Sequence, residues 1–332
     1  MSNKFDQIKV EEYFHFLGLK KKYKFKINKC ENCGNKKNET IRDRIHIGKN
    51  KYLLDIFCYY PFFLCKNCNL LFQKYKIEKK FYDDYYKIIY RKRTYRSQKP
   101  NKFQLKDIYK RGKYLLSFLE KNFNQKKGSI LDVGCSLGGM LKPFKDKKWN
   151  CIGVDPDKKW VSFGKKFFNL DLKAIDAEGM NFNSKSFDII IIIGSLEHVY
   201  NPNTVLKKCF KYLKHNGLIV LEGRGNPIGN SMMFFNHNHH RIFSLNTFRT
   251  FLFKHGFNYL YSTDKINLTG PINKGGLKSD KTIFYIGKKN KIPSKDKFKK
   301  YIKKFSKDFK FFKKKFDQID QKKPLKNAVI LN

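Results

Sequence analysis

The sequence contains no stretch of about 18 uncharged apolar residues, so nothing in it reads as a membrane-spanning helix. Its first residues, Met1-Ser-Asn-Lys-Phe-Asp6, lack the apolar segment of a secretory leader, which points to a cytoplasmic location. In that reducing compartment the eight cysteines are expected to be free thiols or metal ligands, and not disulfides. Acid is scarce: 28 Asp and Glu stand against 72 Lys and Arg, a formal charge of +44. Such a surplus usually suggests a polyanionic partner. Arg, however, supplies most bidentate recognition of bases and phosphates, and here the basic residues are overwhelmingly Lys. The Lys comes with heavy Asn, Ile, Phe and Tyr usage, as a coding bias toward A and T would produce. A solvated basic surface is therefore the first expectation, with contact to nucleic acid or an anionic membrane as the alternative.

What is present is organised around Ile130-Leu-Asp-Val-Gly-Cys-Ser-Leu-Gly-Gly-Met-Leu141. Ile130, Leu131 and Val133 read as the end of a buried strand, and the glycines read as a tight turn into a helix. Gly134, Gly138 and Gly139 have no Cβ, so backbone there could lie close to a ligand, beside the free N–H groups of a helix start. Asp155 ends the next apolar strand, Cys151-Ile-Gly-Val-Asp155, roughly 20 residues on, where an acid can accept hydrogen bonds from ribose hydroxyls. Together these features predict a nucleoside-binding turn. The dinucleotide pattern G-x-G-x-x-G is not met, because Ser136 stands at its second glycine.

These residues resemble the first motif of the class I S-adenosylmethionine (SAM)-dependent methyltransferases, hydrophobic-Asp-x-Gly-Cys-Gly-x-Gly, from which Ser136 is the one departure. The resemblance runs over about residues 105 to 288. Asp176-Ala-Glu178 looks like the adenine-contacting loop and Phe187-Asp-Ile-Ile-Ile-Ile-Ile193 like the fourth strand. Ser195-Leu-Glu-His-Val199, Asn201-Pro and Leu213-Lys-His-Asn-Gly-Leu-Ile-Val-Leu221 follow in the family's order. It implies an α/β, Rossmann-like fold with a mostly parallel seven-stranded sheet, closed by strands at Phe257–Ser262 and Lys281–Ile286. It also implies a SAM site built from Asp132, Gly134, Cys135, Ser136, Gly138, Asp155, Pro156, Asp176, Ala177, Gly194 and Ser195. Parallel sheets of this kind bind ligand at the carboxyl ends of their strands. Residues 264 to 280, with Gly270-Pro and Gly275-Gly, are expected to form a mobile loop or substrate flap.

Ahead of this region lie Cys30-Glu-Asn-Cys33 and Cys65-Lys-Asn-Cys68. Each Cys-x-x-Cys lets a tight turn present two thiolates to one metal, and two such knuckles complete a tetrahedral shell. Strand-like runs at Thr40–Ile47 and Tyr52–Cys58 lie between them, as in a zinc ribbon, with Cys58 as a spare. A closed four-cysteine site keeps no open position, so structural Zn2+ is expected and not a catalytic metal. The stretch after the second knuckle, through Tyr85-Tyr86, resembles a bacterial methyltransferase group in which a small zinc-binding domain precedes the SAM domain. Its members often act in sugar and surface-glycan biosynthesis; Asn69 stands where that group usually has Gly.

The expected division is 1–95 for the zinc-ribbon region, with a short helix at residues 5 to 17, then 96–288 for the methyltransferase domain and 289–332 for a Lys-rich helical tail. In the tail, Ile302, Phe305, Phe309, Phe312, Phe316 and Ile319 alternate spacings of three and four, which predicts an amphipathic helix. That helix would pack on its own protein or a partner protomer, or lie on an anionic membrane surface. His239 and His240, before Arg-Ile-Phe-Ser244, and His198 are candidate proton acceptors. The expected activity is methyl transfer from SAM to a small, sugar-like acceptor. The alternative is an RNA methyltransferase that grips phosphates with its ribbon and Lys surface. Gly194-Ser-Leu-Glu197 replaces the Asn/Asp-Pro-Pro-aromatic motif that base N-methylation would call for.

Overall fold

The computed structural model describes residues 24–41, 45–48, 58–59, 61–86, 90, 100–224, 237–264, 266–267, 277–278, 282–306, 309–311, 313–314 and 328–331. The chain divides into two compact units. One comprises Met1–Gln98, Pro227–Ile242 and Lys300–Asn332; the other comprises Lys99–Asn226 and Phe243–Lys299.

The second unit is the expected α/β sheet. Its strands are β1 (Ser129–Val133), β2 (Asn150–Val154), β3 (Asp171–Lys173), β4 (Phe187–Ile193), β5 (Leu213–Arg224), β6 (Phe257–Thr263) and β7 (Thr282–Lys289). They lie in the order β3-β2-β1-β4-β5-β7-β6. The first five are parallel, and β7 runs antiparallel to both β5 and β6. The centre is β4, where Ile189, Ile190, Ile191 and Ile192 are all fully buried because helices cover both faces of a parallel sheet. Those helices are α1 (Lys102–Phe123), α2 (Lys142–Asp146), α3 (Lys158–Phe168), α4 (Pro202–Tyr212) and α5 (Leu245–Lys254).

Local chemistry sets where the helices begin. Asn101 caps α1 by accepting from Gln104 N–H at 2.9 Å, while Gln104 returns the bond to Asn101 N–H. Asp157 caps α3 through the N–H groups of Lys159 and Trp160. Ser244 caps α5 as the sequence suggests, in a reciprocal pair with Thr247. Two glycines then bring helices onto the loop after β1. A Cβ at Gly112 of α1 would collide with Met140 backbone, and one at Gly164 of α3 with Leu137 backbone. The turn that organises the sequence is therefore clamped by backbone-to-backbone approach from two helices.

The first unit carries an antiparallel four-stranded sheet in the order Arg241–Ile242, Leu71–Gln73, Phe62–Cys65, Asn38–Ile41. Thus residues 227–242, expected within the 96–288 domain, fall in the unit of the cysteines because Arg241–Ile242 add a strand there. The tail also departs from a single helix. Lys295–Phe305 is helical, as are 309–311 and 313–314, but Ala328–Leu331 is a strand paired antiparallel with Ile45–Gly48. Its four apolar residues, free of Lys, suit a ladder better than a solvated helix. The helix expected at 5–17, the run 51–57 and most of the 264–280 loop lie outside the described residues; within that loop, Ile266–Asn267 and Leu277–Lys278 pair antiparallel. Among the described residues no helix is long and apolar enough to cross a membrane.

Candidate functional site

At the carboxyl end of β1 the chain turns through Gly134 (φ +81°), Ser136 (φ +56°) and Gly138 (φ +76°). Gly134 and Cys135 N–H both donate to the Val154 carbonyl, at 2.8 and 3.0 Å, which ties the turn to the end of β2. Asp155 completes that tie. One of its carboxylate oxygens accepts from Ser136 N–H at 2.8 Å and the other from Asp157 N–H at 3.0 Å. A carboxylate has about four acceptor positions, so it retains capacity for a ligand's hydroxyls.

The glycines divide into two kinds. Gly138 and Gly139 are required by the protein itself, since a Cβ there would strike Leu170 and Leu172, or Ile108. Gly134 faces Ser195, whose Oγ a Cβ would overlap. Gly194 (φ +63°) instead opens on free space and is exposed. The helix that follows the turn starts only at Lys142, is five residues long and has no side-chain cap, so the cradle is loop backbone and not a helix N-terminus.

The remaining predicted residues gather at the same sheet edge. Asp176 Oδ1 accepts from Gly179 N–H at 2.5 Å, shaping the turn that carries Ala177. Lys208 Nζ and Tyr212 OH of α4 hold the Met180 carbonyl at 2.7 and 2.9 Å, fixing the loop from outside. Ser195 Oγ donates to the Ile193 carbonyl at 3.2 Å, and His198 sits half-buried one turn on.

Asp132 is almost fully buried, and burial followed by repulsion from Asp155 pushes its carboxyl up to about 8, against the pull of Arg111. The folded state holds this proton more tightly than the unfolded chain does. Stability is therefore lost as pH rises from about 4, the unfolded value, to the folded value near 8. Ligand-free Asp132→Asn should gain on wild type across that window by up to about 1.4 kcal/mol per pH unit and no further above it. Thermal unfolding from pH 5 to 9 checks this; a difference that does not change with pH would refute it.

Two charged residues at this edge have no counterpart in the sequence expectations. Arg111 of α1 pairs with Glu222, near the end of β5, at 2.7 Å between Nη2 and Oε1. Arg111 Nε is buried without a hydrogen-bond partner among the described residues. The available signal was modest. Glu222 ends a strand as Asp155 does, and Arg111 precedes the glycine that brings α1 onto the turn.

In the other unit, the four Sγ atoms of Cys30, Cys33, Cys65 and Cys68 all lie within 4.8 Å of one another. The pairs Cys30–Cys68 and Cys33–Cys65 are 3.6 and 3.5 Å apart. A tetrahedral shell of about 2.3 Å zinc–sulfur bonds needs sulfurs about 3.8 Å apart, so the set fits zinc. The knuckles repeat one turn: Gly34 N–H donates to the Cys30 carbonyl at 2.8 Å and Asn69 N–H to the Cys65 carbonyl at 3.0 Å. Both residues are left-handed, at φ +75° and +59°. Asn tolerates that region better than most side chains, which is why Asn69 serves where Gly is usual. Burial pushes the Cys30 thiol well above its ordinary range, while hydrogen bonds from Cys30, Cys65 and Cys68 pull Cys33 far below it. Cys65 is likewise lowered and Cys68 raised, so the cluster is split between two thiols held down and two held up, and metal binding must release the protons of the raised pair.

His239 and His240 belong to this first unit and are buried there. The His240 ring lies edge-on to Tyr82, with centroids 4.3 Å apart, and its Nδ1 faces Gln73 Oε1 at 3.3 Å. They are thus in a different unit from Asp132, Asp155 and His198.

Residues 106–262 match the methyltransferase-domain family. This segment carries a Rossmann-like methyltransferase fold. Among curated relatives, the ubiquinone biosynthesis O-methyltransferase of Bradyrhizobium diazoefficiens is 31% identical over 96 residues, which are 28% of this chain and 38% of that protein. The tRNA U34 carboxymethyltransferase of Sulfurimonas denitrificans is 30% identical over 112 residues, 32% of this chain and 38% of that one. The chain thus spans well under half the length of these relatives. Among solved structures, the Burkholderia thailandensis 1,6-didemethyltoxoflavin-N1-methyltransferase, with bound 1,6-didemethyltoxoflavin and S-adenosylhomocysteine, is similar at 16% identity and a TM-score of 0.42, over 55% of this chain and 79% of that one.

Proposed function

We propose that this chain transfers the methyl group of SAM to a small-molecule acceptor. The observation that carries this reading is the Asp155 carboxylate, tied by Ser136 N–H to the turn after β1 inside a methyltransferase domain. The donor set fits the cofactor: Ser136 Oγ is buried with no partner among the described residues, and Gly194 opens on free space. Gly134, Cys135, Ser136 and Gly138 would hold the methionine and ribose portion, and Asp155 with Pro156 the ribose hydroxyls. Asp176 and Ala177 would hold the adenine, with Asp132, Gly194 and Ser195 completing the edge. Bound there, the sulfonium supplies an already activated methyl group. The work left to the protein is orientation, exclusion of water and acceptance of one proton from the acceptor.

We assign that proton to one of His198, His239 and His240, and a structural Zn2+ to Cys30, Cys33, Cys65 and Cys68. The finer reading of the acceptor is a sugar or nucleotide-linked sugar, supported by the pairing of cysteine knuckles with a methyltransferase domain. A second reading, transfer to RNA, is favoured by the charge of +44 and by the similarity to a tRNA-modifying enzyme.

The protein should add the mass of one methyl group to a member of a panel of nucleotide sugars and phenols when supplied with SAM. Transfer to tRNA alone would replace the first reading with the second. Absence of SAM binding in calorimetry would overturn both. Substituting His198, His239 and His240 by Gln, one at a time, should lower turnover about 100-fold or more for one of them while SAM affinity is unchanged. Full activity in all three would remove the histidines from the mechanism.

A further inference from the structure

The histidine segment is gripped by both halves of the cysteine cluster. Glu31 lies inside the first knuckle, between Cys30 and Cys33, and its two carboxylate oxygens take Arg241 Nε and Nη2, the second contact at 3.3 Å. Arg241 is 1% exposed, so its charge is held by protein partners, and this fork is a charged one among them. Gln73 stands five residues after Cys68, the last ligand of the second knuckle. Its backbone N–H donates to the His240 carbonyl at 3.0 Å, and its Nε2 to the His237 carbonyl at 2.6 Å. With that nitrogen spent, Gln73 Oε1 accepts from His240 Nδ1 at 3.3 Å, which fixes the tautomer with the lone pair on Nε2. Arg241 and Ile242 meanwhile ladder onto Phe72 and Leu71. Tyr82 OH adds a bond to the His237 carbonyl at 2.9 Å.

One side of residues 237–242 is thus held by the Cys30–Cys33 knuckle and the other by the strand that leaves Cys65–Cys68. The two grips keep their spacing while the knuckles are fixed to each other; the ladder of Asn38–Ile41 on Phe62–Cys65 ties the strands beside them, and one ion shared by four thiolates ties the knuckles themselves. We infer that the thiolate-bound metal orders the histidine segment, with Glu31 as the positioning residue that transmits it. This rests on the zinc assignment made above and extends it: the metal sets the register of His239 and His240 and the ring orientation of His240 without touching them. The same device makes loss of metal a way of releasing that segment while the α/β sheet stays folded.

Amide hydrogen exchange on the full chain, read together with zinc content, tests this. In the zinc-loaded protein, Glu31→Gln should leave the metal in place while raising exchange over 237–242 at least tenfold, with β4 unchanged. It should also weaken the 15N NMR signature of the Nδ1-protonated His240 tautomer. Removing zinc from wild type with a chelator should produce the same local rise. Should Glu31→Gln fail to fold, Arg241→Met breaks the fork from its other end without leaving a buried cation, and the same readouts apply. Unchanged exchange in the folded fork variant, or protection of 237–242 that survives chelation, would overturn the inference. A wild-type protein that carries no zinc would sink the metal assignment instead, with the fork variants still reporting on Glu31.

Discussion

Cys65→Ser should abolish zinc binding and unfold the four-stranded cysteine sheet, the largest structural effect expected of any single substitution in this chain. Cys65 is fully buried at the end of the Phe62–Cys65 strand, with Cys33 Sγ at 3.5 Å and Asn35 Nδ2 pointing to its sulfur at 3.7 Å. Three thiolates and a hydroxyl bind zinc far more weakly than four thiolates, and binding energy at a structural site is folding energy, on the order of 10 kcal/mol for zinc-finger peptides. A chelator should act on wild type in the same way. Metal analysis should find about one zinc per wild-type chain, as a closed four-thiolate shell requires, and none in the variant. The variant should also lose exchange protection over Phe62–Gln73. A metal-free wild type with the same protection would show that the cysteines are only core residues.

Asp155→Ala should weaken SAM binding by about 100-fold or more, the largest functional effect expected. Two charge-assisted hydrogen bonds to ribose hydroxyls are together worth about 3 kcal/mol or more, and about 1.4 kcal/mol is a factor of ten in affinity. Alanine also strips the acceptors from Ser136 and Asp157 N–H, which lie 2.8 and 3.0 Å from the carboxylate, so part of the loss would come from a loosened turn. Asp155→Asn narrows the two contributions. It removes the charge but keeps one acceptor where the carboxylate has two, so one of the Ser136 and Asp157 N–H groups still loses its partner; its melting temperature should fall less than that of Asp155→Ala, while SAM binds at least tenfold more weakly. Calorimetry that finds both variants binding like wild type would mean that the cofactor site lies elsewhere.

Much of this was legible in the sequence because it depends on neighbours in the chain. The strand-turn-strand run from Ile130 to Asp155 has a local pattern, and the cysteine spacing is local to each knuckle. The caps at Asn101 and Ser244 act within a single helical turn. What was not legible depends on residues far apart. Nothing near Arg241 announces that it belongs with Glu31, 210 positions earlier, so the histidine segment was expected within the 96–288 domain and belongs to the cysteine unit. The pairing of Ala328–Leu331 with Ile45–Gly48 is equally remote. In the tail, a Lys/Phe periodicity continuous with the true helix at Lys295–Phe305 masked the short apolar strand. The glycine turn shows a third limit. Its pattern was recognisable, yet the reason for Gly138 and Gly139 is contact with Leu170, Leu172 and Ile108, which no spacing rule expresses.

The isoleucine run of β4 has a consequence beyond the folded state. Five successive isoleucines form a segment of high strand propensity without charge, the kind that joins identical segments of other chains when left uncovered. One neighbour, β1, is synthesised earlier, but β5 leaves the ribosome only after α4 has been made. One edge of the run is therefore bare for that interval. Asp188 stands immediately before the run, and in the finished protein it accepts from Ser129 N–H and from Lys214 Nζ, each at 2.8 Å. In the unfinished chain that carboxylate has no Lys214 to meet. A charge at the head of the stretch is the kind of gatekeeper that flanks unavoidable apolar strands, since burying it in a stack of identical segments is costly until the sheet closes.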